Sequence, residues 1–127
     1  MIPQSHRAIL DKAGLATLTT IGPAGEPHGS PVWFDFGGDR LRFSLTEDRQ
    51  KYRNLGRDPR VSLSFTDPDN VIHSMEVRGT VSFEPDPDHA FINSLAQKYL
   101  GLPTYPMPDS APRAIGIVEI RHVVTWM

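Results

Sequence analysis

Five basic side chains fall within twelve positions of this 127-residue chain: Arg49, Lys51, Arg53, Arg57 and Arg60. The formal net charge of the whole chain is -2, so the concentration is local. They lie in the segment Ser44–Val61, SLTEDRQKYRNLGRDPRV, with a hydroxyl-bearing residue, Thr46, just ahead of them. A helix starting here would offer unpaired N–H groups and the positive end of its dipole beside Thr46, Arg49 and Lys51, which suits a phosphate. Glu47 and Asp48 compete for the same positive potential, and a solvated basic helix with ordinary surface charges explains the run equally well.

Other chemistry is missing. There is no cysteine, so thiol catalysis and disulfides are excluded. His6, His28, His73, His89 and His122 form no i, i+4 pair and stand in no metal-ligand spacing. No nucleophile elbow, Walker loop or Gly-x-Gly-x-x-Gly occurs, and the paired carboxylates Glu47/Asp48 and Asp67/Asp69 sit in cap and turn contexts. An enzyme built this way leaves its reaction to a bound organic cofactor.

The elements that must position these residues follow from periodicity. Leu41, Phe43 and Leu45 alternate with polar residues before the basic run, and Val61, Leu63 and Phe65 alternate after it. Between the two strands Tyr52 and Leu55 give a short helix its apolar side, with Thr46 as N-cap and Gly56 as stop. Ser5 to Gly14 predicts a first helix of about two turns, with His6 exposed. Leu15–Ile21, a Gly/Pro turn, Ser30–Phe36, the tight turn Gly37-Gly38-Asp39 and Leu41–Leu45 predict a three-stranded antiparallel meander. Trp33 on its outward face calls for a cover: either core packing or a subunit contact, or a flat ligand against the backbone of Pro31, Val32 and Trp33. Met75–Phe83 alternates over its length, with a bulge expected at Gly79. On its polar face Arg78 either pairs with Glu76 or reaches a ligand or partner chain. Asp86-Pro87-Asp88 opens a helix carrying Ala90, Phe91, Leu95, Tyr99 and Leu100 on its apolar stripe, and Gly101 closes it. Leu102–Pro112 is a long proline-rich loop of the kind that covers something, and Ala114–Trp126 is the last strand.

The chain length predicts one domain over residues 1–127 with a core of its own. Charged residues are 22% and hydrophobic ones 39%, an ordinary balance for a soluble protein. A pI near 6.2 gives no global footprint for nucleic acid. No apolar run approaches a membrane span and no signal-peptide core opens the chain, so a cytoplasmic protein is expected.

The order of these segments, LATLTT, SPVWFDF, LRFSLTEDRQKYRNLGRDPRVSLSF, MEVRGTVSF and QKYLG, resembles the split β-barrel flavin and deazaflavin oxidoreductases of the pyridoxamine 5′-phosphate oxidase superfamily. K-x-x-N-L-x-x-D-P-R-V is the most specific part, and the chain is most similar to the branch that uses coenzyme F420. The resemblance implies a mostly β (α+β) fold, a six-or-so-stranded antiparallel split β-barrel with two or three short peripheral helices, forming a homodimer with cofactor sites at the interface. It implies that Ser44, Thr46, Arg49, Lys51 and Asn54 hold the cofactor phosphate and that Pro31, Val32 and Trp33 pass its ring. It also implies that the partner chain closes the site, with Arg78 and the Leu102–Pro112 loop as the candidates for that closure. The implied activity is hydride transfer from reduced F420 to an electron-poor conjugated small molecule: a quinone, enone, nitro compound or tetrapyrrole. FMN as cofactor, with an oxidase-like reaction, is one alternative, and a non-catalytic F420 carrier is another. A small β-barrel that offers its basic helix to an acidic partner is a third. Gln50 replaces the first basic residue of the adjacent Arg-Lys typical of FMN-using relatives, with the arginine at Arg49 instead, which favours the deazaflavin branch.

Overall fold

The computed structural model describes Met1–Met127. Helix α1 (Gln4–Arg7) runs into a 3₁₀ turn (Ala8–Asp11). Strands β1 (Ala16–Ile21), β2 (Pro27–Val32), β3 (Phe34–Gly37) and β4 (Arg40–Thr46) follow. Then come α2 (Gln50–Arg57), β5 (Arg60–Asp67), β6 (Asn70–Pro85), α3 (Ala90–Leu100) and β7 (Arg113–Trp126). No helix is long and apolar enough to cross a membrane.

All seven strands form one antiparallel sheet in the order β2-β1-β5-β6-β7-β4-β3. The expected meander is therefore not formed. β2 pairs with β1 and β3 with β4, but β2 and β3 lie at opposite ends of the order although only Trp33 separates them in the chain. A sheet whose two edges are one residue apart has to roll until those edges meet, which makes it a half-barrel. The core fills the inside of the roll: Phe34 of edge strand β3 packs edge-on against Phe65 of central strand β5, ring centroids 4.8 Å apart, and Leu18, Phe43, Leu63, Met75 and Val77 are equally inaccessible.

Local chemistry explains the tight joins. Gly38 and Asp39 both take positive φ, as a two-residue hairpin of the primed type requires, and the turn joins β3 to β4. The β6–β7 register shifts between Arg78 and Gly79, where a Cβ would collide with the Glu119 carbonyl. The irregularity expected at Gly79 is thus present, and it bends the two longest strands around the core.

Three element ends differ from the sequence reading. Thr46 is the buried last residue of β4, and α2 starts at Gln50 after an extended Arg49 with no side-chain cap. Gly56 lies inside α2; the helix ends at Asp58, whose extended backbone is imposed by Pro59. Asp86 does cap α3, but from a distance: its carboxylate accepts from the N–H groups of Phe91 and Ile92 at 3.1 and 3.0 Å. Ala90 and Leu100 stay exposed, and Ile92 joins the buried stripe instead. His6 is also not exposed. It is buried, its Nε2 lies 2.9 Å from the Trp126 carbonyl, and its ring packs on His73.

Helix α3 lies outside the roll. Phe91, Ile92 and Leu95 form a second apolar cluster with Ile115 of β7, and Trp33, Tyr99, Tyr105 and Ile117 pack on it. Trp33 stacks on Tyr99 with centroids 4.8 Å apart and planes 5° from parallel. The Tyr99 hydroxyl donates to the Gly14 carbonyl and accepts from the Phe34 N–H. Burial pushes its pKa up to about 12. This clamps α3 onto the point where the sheet closes.

Candidate functional site

A cleft of about 400 Å³ opens where the end of β4, the start of α2 and edge strand β2 converge. Seven of the nine residues singled out from the sequence line it: Pro31, Val32, Trp33, Ser44, Thr46, Arg49 and Lys51. Leu15, Ile92 and Tyr105 add apolar surface, and Arg113 of β7 adds a third cation. No carboxylate lines this cleft.

Each polar group is set by its neighbours. Lys51 Nζ donates to Ser30 Oγ at 3.2 Å, and Arg113 Nη1 donates to Ser44 Oγ at 3.0 Å. Both serine hydroxyls thus receive a hydrogen bond and keep their own hydrogen to give. Thr46 differs, since its hydroxyl donates to Asp48 Oδ1 at 2.6 Å. Asp48 also accepts from Ser110, and these two bonds hold its carboxyl below the ordinary value. The acidic competition expected from Asp48 is therefore spent on Thr46 and Ser110, and neither Asp48 nor Glu47 lines the cleft. Burial first, and then Arg49, hold the Lys51 ammonium below its ordinary 10.5. A half-buried cation destabilised by a second cation, with no carboxylate facing it, is a site that an anion would relieve.

The rest of the basic run goes elsewhere. Arg53 bonds the Asp48 carbonyl and Gln50, Arg57 bonds the Ile21 carbonyl, and Arg60 pairs with Asp58. Asn54 is not brought to the cleft. It is fully buried under α2, where it donates to Thr20 Oγ1 at 3.0 Å and accepts from Gln50 at 2.7 Å. Arg78 is not brought there within one chain either. It pairs with Glu76 at 2.8 Å and lines a separate groove with Arg60 and Arg121.

The sequence reading missed Arg113, Tyr105, Leu15 and Ile92. The Leu102–Pro112 loop brings Tyr105 in, and it is fastened down: Tyr105 N–H donates to Asn93, Ser110 to Asp48, and the Pro112 carbonyl accepts from Glu47 N–H. Tyr105 meets Trp33 edge-on at 5.8 Å and lies 4.7 Å from the Arg113 guanidinium. This loop covers the Trp33 end of its own chain's cleft, whereas the resemblance implied closure of the site from the partner chain.

A family profile described as pyridoxamine 5′-phosphate oxidase matches residues 2–127. The chain belongs to that family. It is an oxidoreductase of the family. A solved F420 reductase is 38% identical, with TM-score 0.89, over 97% of this chain and 98% of its own. The 5a,11a-dehydrotetracycline/5a,11a-dehydrooxytetracycline reductase of Streptomyces rimosus is 28% identical over 90 residues, 65% of this chain and 63% of that enzyme, so the match spans less than two thirds of the enzyme. A conserved hypothetical protein of Mycobacterium tuberculosis, 24% identical with TM-score 0.78 over 99% of this chain and 85% of its own, shares the fold.

Proposed function

We propose that the chain is a reductase that takes coenzyme F420 in this cleft and serves an electron-poor conjugated acceptor such as a quinone, enone, nitro compound or tetrapyrrole. The observation that carries this is the convergence of Arg49, Lys51 and Arg113 on a cleft without a carboxylate, beside the edge strand at Pro31–Trp33. Support comes also from the F420 reductase that matches nearly end to end.

The residues present fit such a cofactor. Three cations and the free hydroxyl hydrogens of Ser30 and Ser44 suit a phosphate-bearing tail. An edge strand has main-chain N–H and C=O groups with no strand partner, which suit the polar rim of a planar ring. When bound, reduced F420 supplies a hydride. The chain's own work is to neutralise the tail through Lys51, Arg49 and Arg113 and to seat the ring against Pro31, Val32 and Trp33. Leu15, Ile92 and Tyr105 keep bulk water from that end of the cleft. No carboxylate or imidazole lines the site, so a proton needed by the reduced acceptor comes from Tyr105 Oη or solvent.

Fluorescence titration with F420 and FMN side by side tests the cofactor. Saturable binding of F420, followed by its oxidation on adding an acceptor, is the expected result. A protein that purifies yellow, with flavin absorbance and no response to F420, is an FMN enzyme of the same fold. Tight F420 binding with no turnover across a broad acceptor panel makes it a carrier. The reading includes a homodimer whose second subunit closes each cleft, through Arg78 among others; light scattering giving the monomer mass at working concentration removes that part.

A further inference from the structure

Six arginines in this molecule lie within ion-pairing distance of a carboxylate, and Arg113 is held differently from the two that grip both carboxylate oxygens, Arg42 and Arg60. Arg42 places both Nε and Nη2 on Asp35, at 3.1 and 2.7 Å. Arg60 does the same on Asp58, at 3.1 and 2.8 Å. These are closed, two-pronged pairs with little left to offer a ligand. Arg113 gives Asp109 only its Nε, at 2.7 Å. The second oxygen of Asp109 lies 2.6 Å from His89 Nε2 and makes no hydrogen bond to the guanidinium. Nη1 reaches Ser44 at 3.0 Å, across the β4–β7 ladder where Arg113 stands opposite Thr46. Of the five N–H groups of a guanidinium, about three are then left without a protein partner. They belong to a side chain that lines the cleft containing Arg49 and Lys51.

We infer that Arg113 is the pre-set anion receptor of this cleft, binding a phosphate group of the ligand, and that Asp109 is the residue that positions it. The identity of the ligand as F420 rests on the function proposed above, whereas the anion site stands on the geometry alone. The three cations of the cleft are not equivalent. Arg49 is exposed and its side chain makes no hydrogen bond within the protein. Lys51 is steadied by one bond at 3.2 Å. The Arg113 side chain is only 9% exposed, its face is covered by Tyr105, and two hydrogen bonds fix its plane. A fork that is already ordered loses little side-chain freedom on binding, so it contributes more affinity per contact than a mobile cation. His89 takes part indirectly. It sits in the left-handed region, φ 61°, at the foot of α3, and from there it engages Asp109 Oδ2. Burial pushes the Asp109 carboxyl up, but the bonds from His89 and Arg113 outweigh it and the net direction is down, so it remains a carboxylate at neutral pH.

The test uses the full-length protein. F420 titrations compare the wild type with Arg113→Ala and Arg113→Lys. Lysine keeps the charge and loses the fork. Both variants are expected to bind about 10- to 100-fold more weakly, the size of a lost hydrogen bond to a charged group. In parallel, the arginine Nε resonances of isotope-labelled wild type are followed while inorganic pyrophosphate is added, a readout that needs no variant to fold. The Arg113 resonance is expected to shift saturably. In Asp109→Asn it should start from a different position and respond less, which a merely structural Asp109 would not produce. Affinities for both Arg113 variants that equal the wild type's, or an Arg113 resonance that pyrophosphate leaves in place, overturn the inference. Wild type that fails to bind F420 while pyrophosphate still moves Arg113 overturns the proposed cofactor and leaves the anion site standing.

Discussion

At the scale of single residues, Lys51 holds a charge that both burial and Arg49 disfavour. Removing it with Lys51→Ala should weaken cofactor binding by about 1–3 kcal/mol, the range for hydrogen bonds to charged groups. Arg49→Ala should cost less, about 0–1 kcal/mol, because an exposed cation is screened by solvent; titration of both variants checks the order. The pH dependence follows from the sign of the shift. An anionic ligand binds the protonated amine and raises its pKa, so affinity is full below the depressed value in the free protein. It then declines as pH rises through that value, which lies below 10.5. Titrations from neutral to alkaline pH should show that decline in wild type and not in Lys51→Ala. Arg49 and Lys51 were legible from the sequence because they stand in one short basic run at the edge of a strand. Arg113 was not, because its partner Ser44 is 69 positions away and only the β4–β7 pairing brings them together. Asn54 came from the resemblance alone, and its place beside Leu55 on the inner face of α2 turns it toward Thr20 rather than the cleft.

At the scale of elements, the tip of the β5–β6 hairpin is tied to the start of the chain by Asp67. Its side chain, only 9% exposed, accepts from Lys12 at 2.7 Å, from the Asp69 N–H and from His73. Lys12 first, then the Asp69 N–H against an opposing effect of burial, bring its pKa from 3.8 down to about 2. A depressed carboxylate stabilises the folded state above its unfolded pKa. That contribution should be intact above 3.8 and disappear as pH falls through about 2. Acid-induced melting of wild type against Asp67→Asn should converge over that window, the variant being less stable only on its alkaline side. Strand alternation made β4, β5 and β6 readable in the sequence, since one face of each is buried in the roll. Helix ends were less readable. Thr46 has the chemistry of a cap, but the β4–β7 ladder claims it, and Pro59 rather than Gly56 decides where α2 stops. The break at Trp33 left no trace at all, because Val32, Phe34 and Phe36 keep an unbroken alternation through the point where the chain changes sheet edge.

At the scale of the whole molecule, the family was legible from the order of its segments, while the sheet order was not, because it depends on pairings between strands distant in sequence. The two rims of the roll, β2 and β3, share their shortest covalent tie at Trp33, and that indole is at once packed under α3 and part of the cleft wall. A ligand resting on Trp33 therefore does more than occupy a groove: it cinches the hoop. Backbone amides of β3 and of its neighbour β4 should exchange with deuterium more slowly when F420 is bound, including those that no ligand atom reaches. Protection confined to the amides lining the cleft would mean that the hem and the binding site move independently.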